Sequence, residues 1–381
     1  MTTLQGFQGF QGFQGFQGFQ GFQGFQGFQG FQGFQGFGGE APTHPLLASA
    51  LISSRKGTAP GSGKALRGPA VRPLENAVNF GLWSGAPRLS VALFEALSQI
   101  GFGVDRKREA GVLSAGGKRH ALVSMMRPSH AVLAKQIERV EGYTSERDVR
   151  GAEVFAQLDG QAAFWAAILN LQPSRFRHTI ELLGVALAIS IPPTQRMKHA
   201  LAVVRPGDFS ARLQPMIPTP GHGSFPSGHA TEAFLVATLL ADLIPAAALG
   251  NAGVELQQLA ARIATNRVVA GVHYPVDSAA GRVLGTALAQ LFKALCLGGD
   301  VKGRVFDAAL FQGSGDLPAD FELVDDIDTA DPSHHSHTVG QISIAASPVM
   351  TTLWNAAAAE WKAWAEPKRR RPAPAPRAKR K

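Results

Sequence analysis

The chain has 381 residues, 45% of them hydrophobic and 17% charged, with a mean hydropathy of +0.01, which excludes a wholly disordered acidic chain and a protein of many membrane spans and leaves a globular core as the expectation. Its net charge is +9, yet Lys368, Arg369, Arg370, Arg371, Arg377, Lys379, Arg380 and Lys381 crowd the C-terminal end. The body is therefore nearly neutral, and the high pI is no sign of a nucleic-acid-binding face.

Residues 5–37 are eleven tandem copies of Gln-Gly-Phe. A period of three matches neither helix nor strand and is too short for a solenoid unit, so residues 1–40 read as a low-complexity, compositionally disordered segment. The start of the chain lacks the basic residues and apolar stretch of a secretory signal. No apolar run reaches the roughly 18 residues of a spanning helix; the best, 180–193, carries Glu181 and stops at two prolines. A cytoplasmic protein is the expectation.

Residues 41–79, rich in Gly, Pro, Ser and Ala, read as an irregular lead-in. Apolar residues at three-to-four spacing then predict helices over 88–101, 129–142, 150–171, 175–191 and 195–204. After a Gly/Pro-rich loop at 206–226 the pattern resumes over 228–243, 253–269 and 276–296. Strand-like alternation is scarce, so the expected fold is all-α, a helical bundle over 80–300. In 301–345, the stretch 316–331 holds seven acids and no Lys or Arg and reads as a solvated loop. Residues 346–366 hold a last amphipathic helix, with Trp354, Trp361 and Trp364 as its expected anchors. The Pro-rich basic tail, 367–381, is expected to be disordered and extended and able to meet anionic partners through charge alone.

Chemistry concentrates in three blocks: Lys198 followed by Arg205-Pro206; Pro226-Ser227-Gly228-His229 at a helix start; and Asn266-Arg267, His273 and Asp277. Lys198 and Arg205, about two helical turns apart, are expected to share one face. The Gly228 amide lies where unpaired N–H groups and the helix dipole favour an anion, and the Ser227 hydroxyl adds a donor. Arg267 supplies a guanidinium fork suited to phosphate-like oxygens. Asp277, one turn beyond His273, can accept one imidazole N–H and leave the other nitrogen free as nucleophile or ligand, and His229 at the helix start is the natural acid/base. The lone Cys296 excludes an intrachain disulfide and a multi-cysteine zinc site, and His334, His335 and His337 read as solvent-exposed loop residues.

In order and spacing these blocks resemble the superfamily that joins the type-2 phosphatidic acid phosphatases, the bacterial class A acid phosphatases and the vanadium-dependent haloperoxidases. The resemblance covers Lys198 to Asp277 and extends as helical texture over 150–297. It implies that Lys198, Arg205, Ser227, Gly228 and Arg267 bind phosphate or vanadate oxygens, that His229 is the acid/base, and that His273 is either a phosphorylated nucleophile or the axial vanadium ligand. Asn266 stands where many relatives carry Ser, a departure expected to affect packing more than chemistry.

His222, seven residues before His229, matches a position that in haloperoxidases carries an aromatic or histidine near the halide. With a loop that looks haloperoxidase-like and no expected membrane segment, the favoured reading is a vanadate-dependent haloperoxidase that uses hydrogen peroxide to oxidise bromide or iodide, with Lys198 polarising the peroxide. The alternative is a soluble phosphomonoesterase, without a cofactor, working through a phosphohistidine; a further alternative is a non-catalytic oxyanion-binding scaffold. A homo-oligomer is plausible for such helical enzymes, though no residue specifies one.

Overall fold

Amphipathic helices account for most of the computed structural model, which describes residues 45–58, 68, 70–83, 85–117, 120–313 and 318–366. The Gln-Gly-Phe repeat and the basic tail lie outside the described residues. The lead-in contains helix α1 (Pro45–Thr58), where none was expected. Then come α2 (Gly85–Ser98), strands β1 (Gly101–Asp105), β2 (Ala110–Ala115) and β3 (His120–Met126), and helices α3 (His130–Gly142), α4 (Arg147–Ala156) and α5 (Ala162–Leu169). The core helices are α6 (Arg177–Leu201), α7 (Gly228–Leu243), α8 (Ala252–Val269) and α9 (Pro275–Leu297); strands β4 (Gly299–Asp307) and β5 (Ser336–Ile344) and helix α10 (Pro348–Ala365) follow.

The expectation of an all-α fold is overturned by a five-stranded sheet in the order β1-β2-β3-β4-β5. The pairs β1/β2, β2/β3 and β4/β5 are antiparallel, whereas β3 and β4 run parallel, with Val123 opposite Arg304. These strands escaped detection for a physical reason. Gly, Ala and Ser fill β2, which is largely buried in place of showing one wet and one dry face, so no alternation marks it. The β3/β4 pairing also joins segments separated by the whole helical core, which no sequence window spans.

Helix α9 is the axis of the molecule, buried along nearly its whole length. Its Gly281 and Gly285 lie against the backbone of α7: a Cβ on Gly285 would come within 2.3 Å of the Thr231 carbonyl, and one on Gly281 within 2.8 Å of the Ser227 carbonyl. Helix spacing follows side-chain size at the crossing, so two glycines bring the start of α9 close to the start of α7. Among the described residues α9 alone is long and apolar enough to cross a membrane, and 72% of its apolar window is buried inside the protein.

Two further expectations change. Helix α6 runs unbroken through Pro192 and Pro193, where the sequence suggested two helices. The hydroxyls of Ser190 and Thr194 bond back to Leu187 O and Ser190 O, both at 2.7 Å, and burial of Ile191, Pro193, Thr194 and Met197 offsets the bonds the prolines cannot make. The acidic segment, expected as a solvated loop, is a strap tied to the core where described: Arg139 donates to Pro318 O (2.8 Å), Tyr143 to Asp320 (2.9 Å), and the buried Arg304 pairs with Asp328 at 2.6 Å. Helix α10 docks through Trp354 and Trp361, both buried, while Trp364 remains half exposed. Glu360 of α10 accepts from the amides of His178 (2.7 Å) and Thr179 (2.9 Å) at the start of α6.

Candidate active site

Three loops meet at one end of the helical core: the segment after α6, the turn into α7, and the α8–α9 junction. Lys198, in the last turn of α6, is 2% exposed, and its ammonium donates to the carbonyls of Gly223 (3.0 Å) and Ser224 (2.8 Å). The expected shared helix face for Lys198 and Arg205 does not exist. Helix α6 ends at Leu201, and Ala202 turns the chain in the left-handed region at φ 50°. Arg205 then reaches the same loop from extended backbone: Nε donates to His222 O (3.1 Å) and Nη1 to Val272 O (2.7 Å). Convergence of the two cations therefore comes from tertiary folding.

At the start of α7, Ser227 is the N-cap and its hydroxyl accepts from the Ala230 amide at 3.4 Å, leaving its own proton free to donate. A Cβ built on Gly228 would meet nothing within 4 Å, so this helix start is open to a ligand as well as electropositive.

The His273–Asp277 pair lies at the start of α9. Asp277 Oδ2 stands 2.8 Å from His273 Nδ1 and accepts from the Tyr274 amide at 3.0 Å and from the Ser224 hydroxyl. That acceptor places the imidazole proton on Nδ1 and leaves a lone pair on Nε2, which faces Arg205 Nη1 at 3.0 Å. Burial pushes the Asp277 carboxyl up to about 6, against the lowering pull of the Ser224 and Tyr274 bonds. Burial, then Arg205 and Lys198, hold the His273 imidazole well below its usual range. His273 is thus neutral, as a nitrogen nucleophile must be.

His229, one residue further into α7, places Nε2 3.3 Å from the Gln157 carbonyl. Burial, followed by the Arg267 charge, lowers its pKa to about 3. An anion would oppose that cationic field and raise its proton affinity, so the acid form belongs to the liganded site. Arg267, 1% exposed, donates through Nη2 to Gln157 Oε1 (2.8 Å) and Val154 O (3.1 Å). Its Nε and Nη1 are buried without a hydrogen-bond partner among the described residues. His222 also reaches the cluster, with Nδ1 3.2 Å from Arg205 Nη2, and burial, then Lys198, pulls its pKa down to about 4.

All nine residues singled out from the sequence therefore collect at one site. Three others, Ser224, Gln157 and Glu232, carried no expectation, and Asn266 carried one of packing only. Ser224 braces Asp277; Asn266 donates to Glu153 and Gln157, both at 3.1 Å; Gln157 holds Arg267; and Glu232, one turn beyond His229, has its carboxyl pushed by burial up to about 7, against the lowering pull of the Lys198 charge. Of the first three, only Glu232 left a trace in the sequence, as an acid in an apolar helix whose one other acid, Asp242, stands at its far end. Among the described residues no cluster of three or more His, Cys, Asp or Glu side chains could hold a metal ion. His335 instead packs on Phe306 and Phe311, with ring centroids 5.7 and 5.1 Å away. The donors gathered here suit an oxyanion with one histidine ligand.

Asp277→Asn keeps the side-chain size but removes the charge that holds the His273 proton on Nδ1. Its kcat is expected to fall by about 10²- to 10⁴-fold with little change in KM, checked by steady-state kinetics.

Residues 180–296 match the family model described as PAP2 superfamily. Among solved structures, the chain is similar to the crystal structure of the first transmembrane PAP2-type phosphatidylglycerolphosphate phosphatase from Bacillus subtilis, at 19% identity and a TM-score of 0.34, over 44% of this chain and 86% of that one. No curated protein matches the chain.

Proposed function

The chain belongs to the PAP2 superfamily through its residues 180–296, and from that membership we propose that it is a phosphoester hydrolase that works through a phosphohistidine on His273. The observation that carries this reading is His273 itself: a neutral imidazole, its Nδ1 held by Asp277 at 2.8 Å and its Nε2 turned into a ring of buried cations. Nε2 attacks phosphorus, an N–P bond forms, and the P–O bond to the leaving alcohol breaks. His229 gives that oxygen a proton. In the second half His229 takes a proton from water, the water oxygen displaces Nε2, and inorganic phosphate leaves. Lys198, Arg205, Arg267, Ser227 and the Gly228 amide neutralise the phosphoryl oxygens as charge builds on them.

The same donors fit vanadate, a tetrahedral oxyanion of like charge. Lys198, Arg205, Ser227, Gly228 and Arg267 would hold it and His273 would ligate it; when bound, it supplies peroxide activation for halide oxidation. The superfamily match supports hydrolysis over that oxidative use. Rapid quench of a turnover mixture into alkali, followed by mass spectrometry, should find a phosphoryl group on His273. Turnover without that adduct overturns the reading, and bromination that requires both peroxide and added vanadate would assign the peroxidase chemistry instead.

Glu232 gives this hydrolase a pH signature. Of the charged groups on the helices around α7, among them Lys198, Arg267 and Asp277, Lys198 is the one that acts on it. The carboxyl is neutral below its pKa of about 7 and anionic above it, so a negative charge appears beside the oxyanion site as pH rises and weakens anion binding. In Glu232→Gln that charge is absent. The advantage of the variant over the parent in inhibition by inorganic phosphate should grow by about tenfold from about pH 6 to about pH 8. Parallel profiles for the two proteins would show that Glu232 does not act on the site.

A further inference from the structure

Gln157 lies outside the stretch 180–296, in the turn between α4 and α5, and is 1% exposed. Its Oε1 accepts from Arg267 Nη2 at 2.8 Å and from Asn266 Nδ2 at 3.1 Å. Two donors on one side leave only one workable orientation of the amide, because the flipped form would set N–H against N–H. Nε2 therefore points away from both. It is buried and has no hydrogen-bond partner among the described residues. The main-chain carbonyl of the same residue sits 3.3 Å from His229 Nε2, so Gln157 touches the second guanidinium and the acid/base at once.

Buried N–H groups are rarely left without an acceptor, because desolvating them unpaired is costly. Three donors, Gln157 Nε2, Arg267 Nε and Arg267 Nη1, share that condition in one neighbourhood, against two acceptors on adjoining residues, Asn266 Oδ1 and Gln161 Oε1, that are unpaired among the described residues. Donors are in excess. What such a set lacks is a ligand rich in acceptor oxygens, next to the histidine that protonates the leaving group.

We propose that Gln157 is a further oxyanion-binding residue, whose Nε2 donates to an oxygen of the bound phosphoryl group on the His229 side of the pocket. This rests on the hydrolase reading given above and extends the site to a segment outside the family match. The role is not one of charge. A neutral donor adds a bond to the anion without lowering the proton affinity of His229, as a third guanidinium there would. Asn266 gains a purpose as well, since its amide helps to lock the Gln157 side chain in the donating orientation.

The test is NMR on the full-length, isotopically labelled protein titrated with inorganic phosphate, following the Gly228 backbone amide and the Gln157 side-chain NH2. Shifts of both signals with one shared saturation curve are expected. A Gly228 shift with an unmoved Gln157 NH2 overturns the proposal while leaving the oxyanion site intact, and Gln157 then only positions Arg267. If neither signal moves, phosphate does not enter this pocket, and the hydrolase reading falls together with the proposal. Gln157→Leu, which removes the donor, should weaken phosphate inhibition about tenfold to a hundredfold; undiminished inhibition in a folded Gln157→Leu protein also overturns it.

Discussion

His273→Ala should lower kcat by about 10⁴-fold or more, the scale seen when a nucleophile is removed from a catalytic unit, while the protein still binds inorganic phosphate. The two halves of that expectation have separate causes. Without Nε2 no N–P bond can form, and water has no comparably placed replacement. The cations remain, since Lys198 is held by Gly223 O and Ser224 O, Arg205 by His222 O and Val272 O, and Arg267 by Gln157 and Val154 O. Removal of the ring frees one N–H of Arg205 Nη1 while the other stays on Val272 O, so phosphate affinity should change little. Turnover measurements paired with calorimetric phosphate binding check both halves. A variant with substantial residual kcat would mean that His273 is not the nucleophile.

Gly285→Ala should be the most disruptive small substitution in the core, at a cost of about 3 kcal/mol. The added methyl would stand 2.3 Å from the Thr231 carbonyl and 3.1 Å from the Leu235 amide. Both are backbone atoms, so no side chain can swing aside, and α7 and α9 must separate. For a chain of 381 residues that corresponds to a fall in Tm of roughly 4–5 °C. Activity should suffer beyond the loss of stability, because Ser227, Gly228 and His229 ride on α7 and Asp277 on α9. Gly142→Ala is the control: a Cβ there meets nothing within 4 Å, so its melting temperature should not drop. Differential scanning calorimetry of the pair decides the matter, and an unchanged Tm for Gly285→Ala would refute the close crossing of α7 and α9.

The chemistry was legible in the sequence because it is carried by residue type at short spacing. His273 and Asp277 are four apart on what becomes one turn of chain, and Ser227, Gly228 and His229 are consecutive at a helix start; such local geometry is set by the backbone itself. Three-to-four spacing of apolar residues likewise marked α7, α8, α9 and α10. Lys198 and Arg205 show the limit of that reasoning. Their separation suggested a common helix face, but the left-handed turn at Ala202 ends the helix between them.

By itself, then, the sequence determined which residue types could serve an oxyanion and where the long helices run, since both are written in spacings of a few residues. Tertiary structure alone decided the five-stranded sheet, the tied acidic strap and the parts played by Gln157, Asn266, Ser224 and Glu232. Each of these depends on segments far apart in the chain: β3 pairs with β4 across the whole helical core, and Gln157 meets Arg267, which stands 110 positions later. Contacts of that range are formed by packing, and a residue's neighbours in sequence carry no record of them.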